Sequence, residues 1–152
     1  MATAQDANTK NIDQLNSFLR GEMSAVETYR IALEKLDASS TYRNQLETCR
    51  ASHLARVNKL QEKIRQLGGK PSENAGAWGT MVGAIESGAV MLGDKVAVAA
   101  LEEGEDHGLR DYRIDLDSLS GETRQLVMTE LIPKQAETHR MLSDLKLRLA
   151  QA

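Results

Sequence analysis

The chain lacks much of what small catalytic and nucleic-acid-binding modules are made from. It has one cysteine in 152 residues, Cys49, so no intramolecular disulfide forms and a reducing compartment is expected. Aromatic residues make up 3%, too few for the stacking platforms that hold single-stranded nucleic acid. There is no excess of positive charge: 19 basic side chains face 22 acidic ones, a net charge of -3. Phosphate binding needs a concentrated basic surface, which argues against nucleic acid as a partner. No apolar run is long enough to span a bilayer. The most apolar stretch, Ala89 to Leu101, is interrupted by Asp94 and Lys95, and the opening "MATAQDANTKN" has no apolar segment of the signal-peptide kind. The expectation is a cytoplasmic protein that engages neither nucleic acid nor membrane. No segment alternates apolar and polar residues as a strand does, so no phosphate loop follows a strand. No Ser/His/Asp set falls on one helix face either.

What is present is helical periodicity. The first segment places Ile12, Leu15, Leu19, Val26, Tyr29, Leu33 and Leu36 on one stripe, and the 3,4 spacing is continuous only if Glu22 is included. Asn11 with Gln14 resembles a capping box at its start. The second segment runs Tyr42, Leu46, Cys49, His53, Val57, Leu60, Ile64, Leu67, with His53 as the polar member. The glycines from Gly68 on, with Pro71, end it. Gly76 to Gly93 is glycine-rich and predicts a short or broken helix about Trp78–Val90. A third main helix from Asp94 to about Leu119 carries Val98, Leu101, Glu105, Gly108, Tyr112, Leu116 and Leu119. A fourth follows Ser120, with Met128, Ile132, Gln135, His139, Leu142, Leu145 and Leu149 on its stripe and a kink at Pro133. The fold class is all-α: a flexible N-terminus at 1–10, then a single four-helix domain at 11–150.

A repeat runs through this pattern. "GEMSAVETYRIAL", Gly21 to Leu33, returns as "GEDHGLRDYRIDL", Gly104 to Leu116, sharing G-E-x6-Y-R-I-x-L. A seam histidine follows each copy about one helix later, His53 after the first and His139 after the second. The chain reads as a duplicated helical hairpin. Folding about a pseudo-two-fold axis would bring Glu22, His53, Glu105 and His139 to one level of the bundle. Tyr29 and Tyr112, seven residues after their glutamates, share the glutamates' faces and could hydrogen-bond at that level.

Glu on helix one, His on helix two, "GE" followed by Tyr on helix three, and His on helix four resemble the ferritin-like superfamily. "EGEDHGLRDY" is similar to the third-helix motif of rubrerythrins. "LGGKP" and the chain length resemble a set of uncharacterised bacterial ferritin-like proteins grouped as a domain of unknown function. The resemblance covers about Ile12 to Leu149. It implies a bundle in which two helices each give a Glu and two each give Glu-x-x-His to a dinuclear metal centre. By position, Glu22 and Glu105 match the lone glutamates, and His53 and His139 match the histidines. Arg50 and Ala136 stand where the paired glutamates are expected.

Two functional readings follow. In one, Glu22, His53, Glu105 and His139 hold a single divalent ion (iron, zinc or manganese), with Tyr29 and Tyr112 as hydrogen-bond partners of the ligands. In the other, the core is metal-free, Arg50 turns inward to neutralise the glutamates, and the protein is a helical scaffold. Such a scaffold acts by forming a homodimer or binding a partner through the glycine-rich 76–93 stretch with Trp78. No residue stands out as catalytic. Cys49 reads as a small buried hydrophobe with a faint thiol role open to it beside His53, and His107 as solvent-facing.

Overall fold

The chain starts folding earlier than the apolar stripe suggests. The Thr3 hydroxyl accepts a hydrogen bond from the Asp6 N–H (3.1 Å), and the Asp6 carboxylate accepts one from the Thr3 N–H (3.0 Å). This reciprocal cap launches α1 (Ala4–Lys35), so residues 4–10, expected to be a flexible tail, are its first turns. The computed structural model describes residues 3–36, 41–75 and 93–151. The broken helix expected about Trp78–Val90, with the glycine-rich stretch around it, lies outside the described residues.

Asn11 is no cap of its own helix. It is buried (7% exposed), accepts from the Ser120 N–H (3.1 Å) and donates to the Ser120 hydroxyl (3.3 Å). Ser120 is the N-cap residue of α4 (Gly121–Leu126) and makes no side-chain cap bond itself, so Asn11 fixes that helix start from across the bundle.

α2 (Arg43–Gln66) ends at Leu67, after which Gly68 takes φ +84, a conformation that favours glycine. The following loop is sewn to α1. Asn8 donates to the Leu67 carbonyl, Asn16 donates to the Lys70 carbonyl and accepts from the Ser72 N–H, and Arg20 donates to the Ser72 hydroxyl. α3 (Asp94–Ile114) closes through a 3-10 turn, Asp115–Ser118. α4 passes through a π segment, Val127–Leu131, into α5 (Ile132–Gln151). Among the described residues every regular element is helical.

The π segment is how Pro133 is accommodated. Proline supplies no N–H, and just before it the Ile132 N–H reaches the Val127 carbonyl, five residues back, in a widened turn. The wider turn also shifts the buried stripe. It runs Thr123, Val127, Leu131, Gln135, Thr138, Leu142, Leu145, while Met128, expected on it, is 41% exposed.

Cross-links set the helix directions. Asn8 at the start of α1 meets Leu67 at the end of α2, and Gln14 of α1 meets Asp115 after α3, so α1 is antiparallel to both. Lys59 of α2 pairs with Glu130 and Lys63 with Glu122, so α2 is antiparallel to the fourth helix line. The long connection at 67–93 therefore joins two parallel helices, α2 and α3. α1 packs mainly on α2, and α3 mainly on α5.

The core has three layers. One apolar cluster holds Tyr29, Leu33, Leu46, Val98, Leu101 and Leu142 with their neighbours. A second holds Leu15, Leu19, Leu60, Ile64, Tyr112 and Leu131 with theirs. Between them sits a layer of buried polar side chains contributed by four helices. Full burial of each large apolar side chain contributes about 1.5–3 kcal/mol, so the two apolar layers provide the driving force and the polar layer sets alignment.

Asn11→Ala removes both bonds to Ser120 and leaves a helix-start N–H without its partner, which costs about 1–3 kcal/mol. Urea unfolding should show this loss alongside a smaller one for Thr3→Ala, whose cap is exposed. Equal or reversed losses would contradict this assignment of the two caps.

Candidate functional site

The buried polar layer is built by the stripe positions that break the apolar pattern. Glu22 comes from α1, Glu105 from α3, and His53 from α2, each 3–4% exposed. His53 lies between the two acids. Its Nδ1 is 2.6 Å from Glu22 Oε2 and its Nε2 is 2.6 Å from Glu105 Oε1. Only a ring protonated on both nitrogens donates to both carboxylates, so His53 is an imidazolium bridge.

A second cation completes the layer. Arg56, one turn after His53 and 2% exposed, donates from Nη1 to Glu22 Oε1 (3.1 Å) and to Gln135 Oε1, and from Nη2 to Thr138 Oγ1 (3.2 Å). Gln135 Nε2 in turn donates to Glu105 Oε2 (2.8 Å) and to the Glu105 carbonyl (2.9 Å), and Thr138 Oγ1 donates to Glu105 Oε2 (2.8 Å). Arg56 thus touches one acid directly and the other through two neutral side chains.

The tyrosines cross over. Tyr29 Oη donates to Glu105 Oε1 and Tyr112 Oη donates to Glu22 Oε1, each at 2.7 Å. Each half of the repeat places its tyrosine on the other half's glutamate, as a pseudo-two-fold axis between antiparallel α1 and α3 requires. The Tyr29 ring also stacks on His53 with centroids 5.4 Å apart.

Four donors therefore saturate Glu105 and three engage Glu22. Burial alone would raise both carboxyl pKa values, but Arg56 and His53 at Glu22, and His53, Tyr29 and Thr138 at Glu105, hold them below the usual range. Burial would lower the His53 pKa, yet the two facing carboxylates raise it. Burial and the adjacent glutamates push both tyrosines well above their ordinary value.

A cavity of about 70 Å³ lies over the layer, between α1 and α3, lined by Gly21, Glu22, His53, Gly104, Glu105 and Gly108 among others. Gly108 lies at its edge, and a Cβ there would sit 2.8 Å from Gln135 Nε2, so the amide would have to shift from its place on Glu105.

The sequence brings Glu22, His53, Glu105, Tyr29 and Tyr112 to this level, and the structure has them there. His139 is not among them. It lies one position past the inward Thr138, so it turns to the flank of α3 and meets Glu102 (3.2 Å) and Asp106 (3.8 Å), half-buried. Arg50 does not occupy the core either. It lines a surface concavity with Glu34, Arg43 and Glu47, and its Nε is buried without a hydrogen-bond partner among the described residues. The inward cation is Arg56, which the apolar stripe passes over in favour of its neighbour Val57. His107 is half-exposed beside Asp111 (3.5 Å). Cys49 is fully buried, 3.9 Å from the Met141 sulfur, and burial followed by the Glu105 charge pushes its thiol up to about 12, which leaves no thiolate at neutral pH.

Residues 10–117 match a family model described as a domain of unknown function (DUF2383). The chain belongs to this family. A search of curated proteins finds no match. Among solved structures, a ferritin-like, diiron-carboxylate protein from Bacillus anthracis str. Ames is similar over 99% of this chain and 98% of that one, with a TM-score of 0.57 and 20% identity. At that identity the likeness is one of fold. The DUF2383 chain is a ferritin-like four-helix bundle.

The donor set of this DUF2383 chain does not fit the dinuclear centre associated with that fold. Such a centre takes Glu-x-x-His from two helices opposite two lone glutamates. Here the inward i,i+3 pairs are His53 with Arg56 and Gln135 with Thr138: none is a carboxylate and one is a permanent cation. The oxygens a metal would need already accept from protein donors. Among the described residues, no group of three or more His, Cys, Asp and Glu side chains is disposed to hold a metal ion.

The pKa directions fix a pH profile. The His53 contribution is complete below the imidazole's unfolded pKa near 6.5 and is lost as pH rises through its raised folded value. Those of Glu22 and Glu105 are complete above the unfolded carboxyl pKa near 4.3 and are lost as pH falls through their lowered folded values. In a His107→Gln/His139→Gln background, urea unfolding should therefore show stability falling steadily from about pH 6.5 upward. A flat profile to pH 9 would contradict the imidazolium bridge.

Proposed function

We propose that this protein is a metal-free ferritin-like scaffold that acts by binding a partner rather than by oxygen or peroxide chemistry. The observation that carries this is the His53 bridge. Both ring nitrogens are spent on Glu22 and Glu105, and Arg56 supplies the second positive charge that balances the two acids. A ligand set must offer free lone pairs, and here both ring nitrogens and Glu105 are fully engaged while Glu22 already accepts three donors. The alternative, one divalent ion held by Glu22, His53 and Glu105, requires His53 to lose a proton and Arg56 to withdraw. His139, the fourth ligand the sequence offers, is engaged with Glu102 and Asp106 instead.

A second copy of the chain is the simplest partner, since most soluble assemblies are symmetric homo-oligomers. Exposed Ile114 and Leu147 offer apolar contact surface. The single buried thiol suits a cytoplasmic setting. None of the described helices is long and apolar enough to cross a membrane, and membrane or nucleic acid is not part of the proposal.

Elemental analysis of protein made in iron- and zinc-supplemented medium tests this directly. We expect well under one metal ion per ten chains, in the wild type and in Glu22→Ala/Glu105→Ala alike. Near-stoichiometric metal that disappears in the double variant would overturn the proposal.

A further inference from the structure

Arg56 has no equivalent in the other half of the duplicated bundle. Glu22 and His53 are separated by 31 residues and Glu105 and Gln135 by 30, while Glu22 and Arg56 are separated by 34 and Glu105 and Thr138 by 33. Both offsets are one shorter in the second half, so with a slip of one residue the repeat relates His53 to Gln135, and Arg56 to Thr138. Both pairs sit at i,i+3 on their helices and face the two glutamates. These are the places that hold Glu-x-x-His where the fold carries a dinuclear centre. In this chain the two places read His-x-x-Arg and Gln-x-x-Thr.

The charges balance as well. Glu22 and Glu105 contribute two negative charges, and protonated His53 with Arg56 contributes two positive ones, the charge of one divalent ion. The guanidinium contacts Glu22 directly and reaches Glu105 through Gln135 and Thr138, so both carboxylates are tied to it.

We infer that Arg56 is a built-in cation standing in for a metal ion, and that removing its guanidinium turns the Glu22–His53–Glu105 cluster into a site for a single divalent cation. Without Arg56 the cluster carries one net negative charge. Uptake of a divalent ion by the two carboxylates, with the His53 proton released to solvent and the ring turned so that one nitrogen faces the ion, restores neutrality. The inference rests on the metal-free reading of the wild type.

The test uses Co2+ as the probe, with thermal melting and visible absorption of wild type, Arg56→Ala and Arg56→Ala/Glu105→Gln. At a hundredfold excess of Co2+ over its Kd, Arg56→Ala should melt about 5–10 °C higher than without it. It should also develop a Co2+ absorption band at one ion per chain, with affinity rising as pH increases. Wild type and the double variant should show neither change. If Arg56→Ala is unfolded in metal-free buffer, refolding with Co2+ should recover its helical circular dichroism. A folded Arg56→Ala with no band and no shift overturns the inference and leaves the metal-free reading intact. So does failure of both Arg56→Ala and Arg56→Gln to recover helicity with Co2+. Co2+ bound by the wild type itself, and lost in Glu22→Ala, overturns the metal-free reading instead.

Discussion

Two carboxylates buried at the centre of a helical bundle must be neutralised there, and this structure is arranged around that need. An isolated buried charge costs far more than a small domain's net stability. Here the requirement is met by a bridging imidazolium, a guanidinium, two phenols, an amide and a hydroxyl. These groups come from α1, α2, α3 and α5, so neutralising Glu22 and Glu105 obliges all four to meet at one level. Sliding any helix by one turn would strand a charge. A buried ion cluster adds little net stability over a well-packed apolar layer, but breaking one is costly, often by about 3–5 kcal/mol. Its consequence is therefore register: the apolar clusters above and below hold the helices together, and the polar layer dictates where they align.

The duplication shows in what is symmetric and in what is not. Glycine precedes each glutamate, and each half's tyrosine reaches the other half's acid. The paired positions opposite them have diverged: both cations lie on α2, while α5 contributes neutral Gln135 and Thr138. This asymmetry lets a single arginine serve both carboxylates, one by contact and the other by relay. It also separates this chain chemically from a diiron-carboxylate protein while leaving the ferritin-like fold unchanged. In this structure these places are filled by polar side chains that satisfy one another.

Much of this was legible in the sequence. Glu22, His53 and Glu105 stood out because they occupy apolar-stripe positions, and the G-E-x6-Y repeat placed both tyrosines. The four main helices followed from 3,4 spacing alone. Two members of the layer, Arg56 and Thr138, were not visible, whereas Gln135 stood on the expected stripe. A stripe counts one residue per turn, whereas the inward face of α2 at this level is wide enough for His53, Arg56 and Val57 together, so Arg56 was eclipsed by its apolar neighbour. On the fourth helix line the step from Gln135 to Leu142 can be taken as 4 then 3 or as 3 then 4; the structure takes the second, so Thr138 is inward where His139 was expected. Matching His53 to His139 by residue type gave unequal offsets of 31 and 34 from their glutamates. Exact offsets point to Ala136 and His139; the folded bundle is one residue shorter in its second half and pairs His53 with Gln135 and Arg56 with Thr138. The early start of α1 was missed because its first turns carry a good cap and few apolar residues.

The central claim is that His53 is a doubly protonated bridge between Glu22 and Glu105. The most direct measurement is 15N NMR of the imidazole ring, with His53 assigned through the His53→Gln variant. The account predicts that both ring nitrogens carry protons at pH 7.5, where exposed histidines are neutral. A single-proton tautomer at that pH would contradict it, and would return one lone pair to the core for a metal to claim.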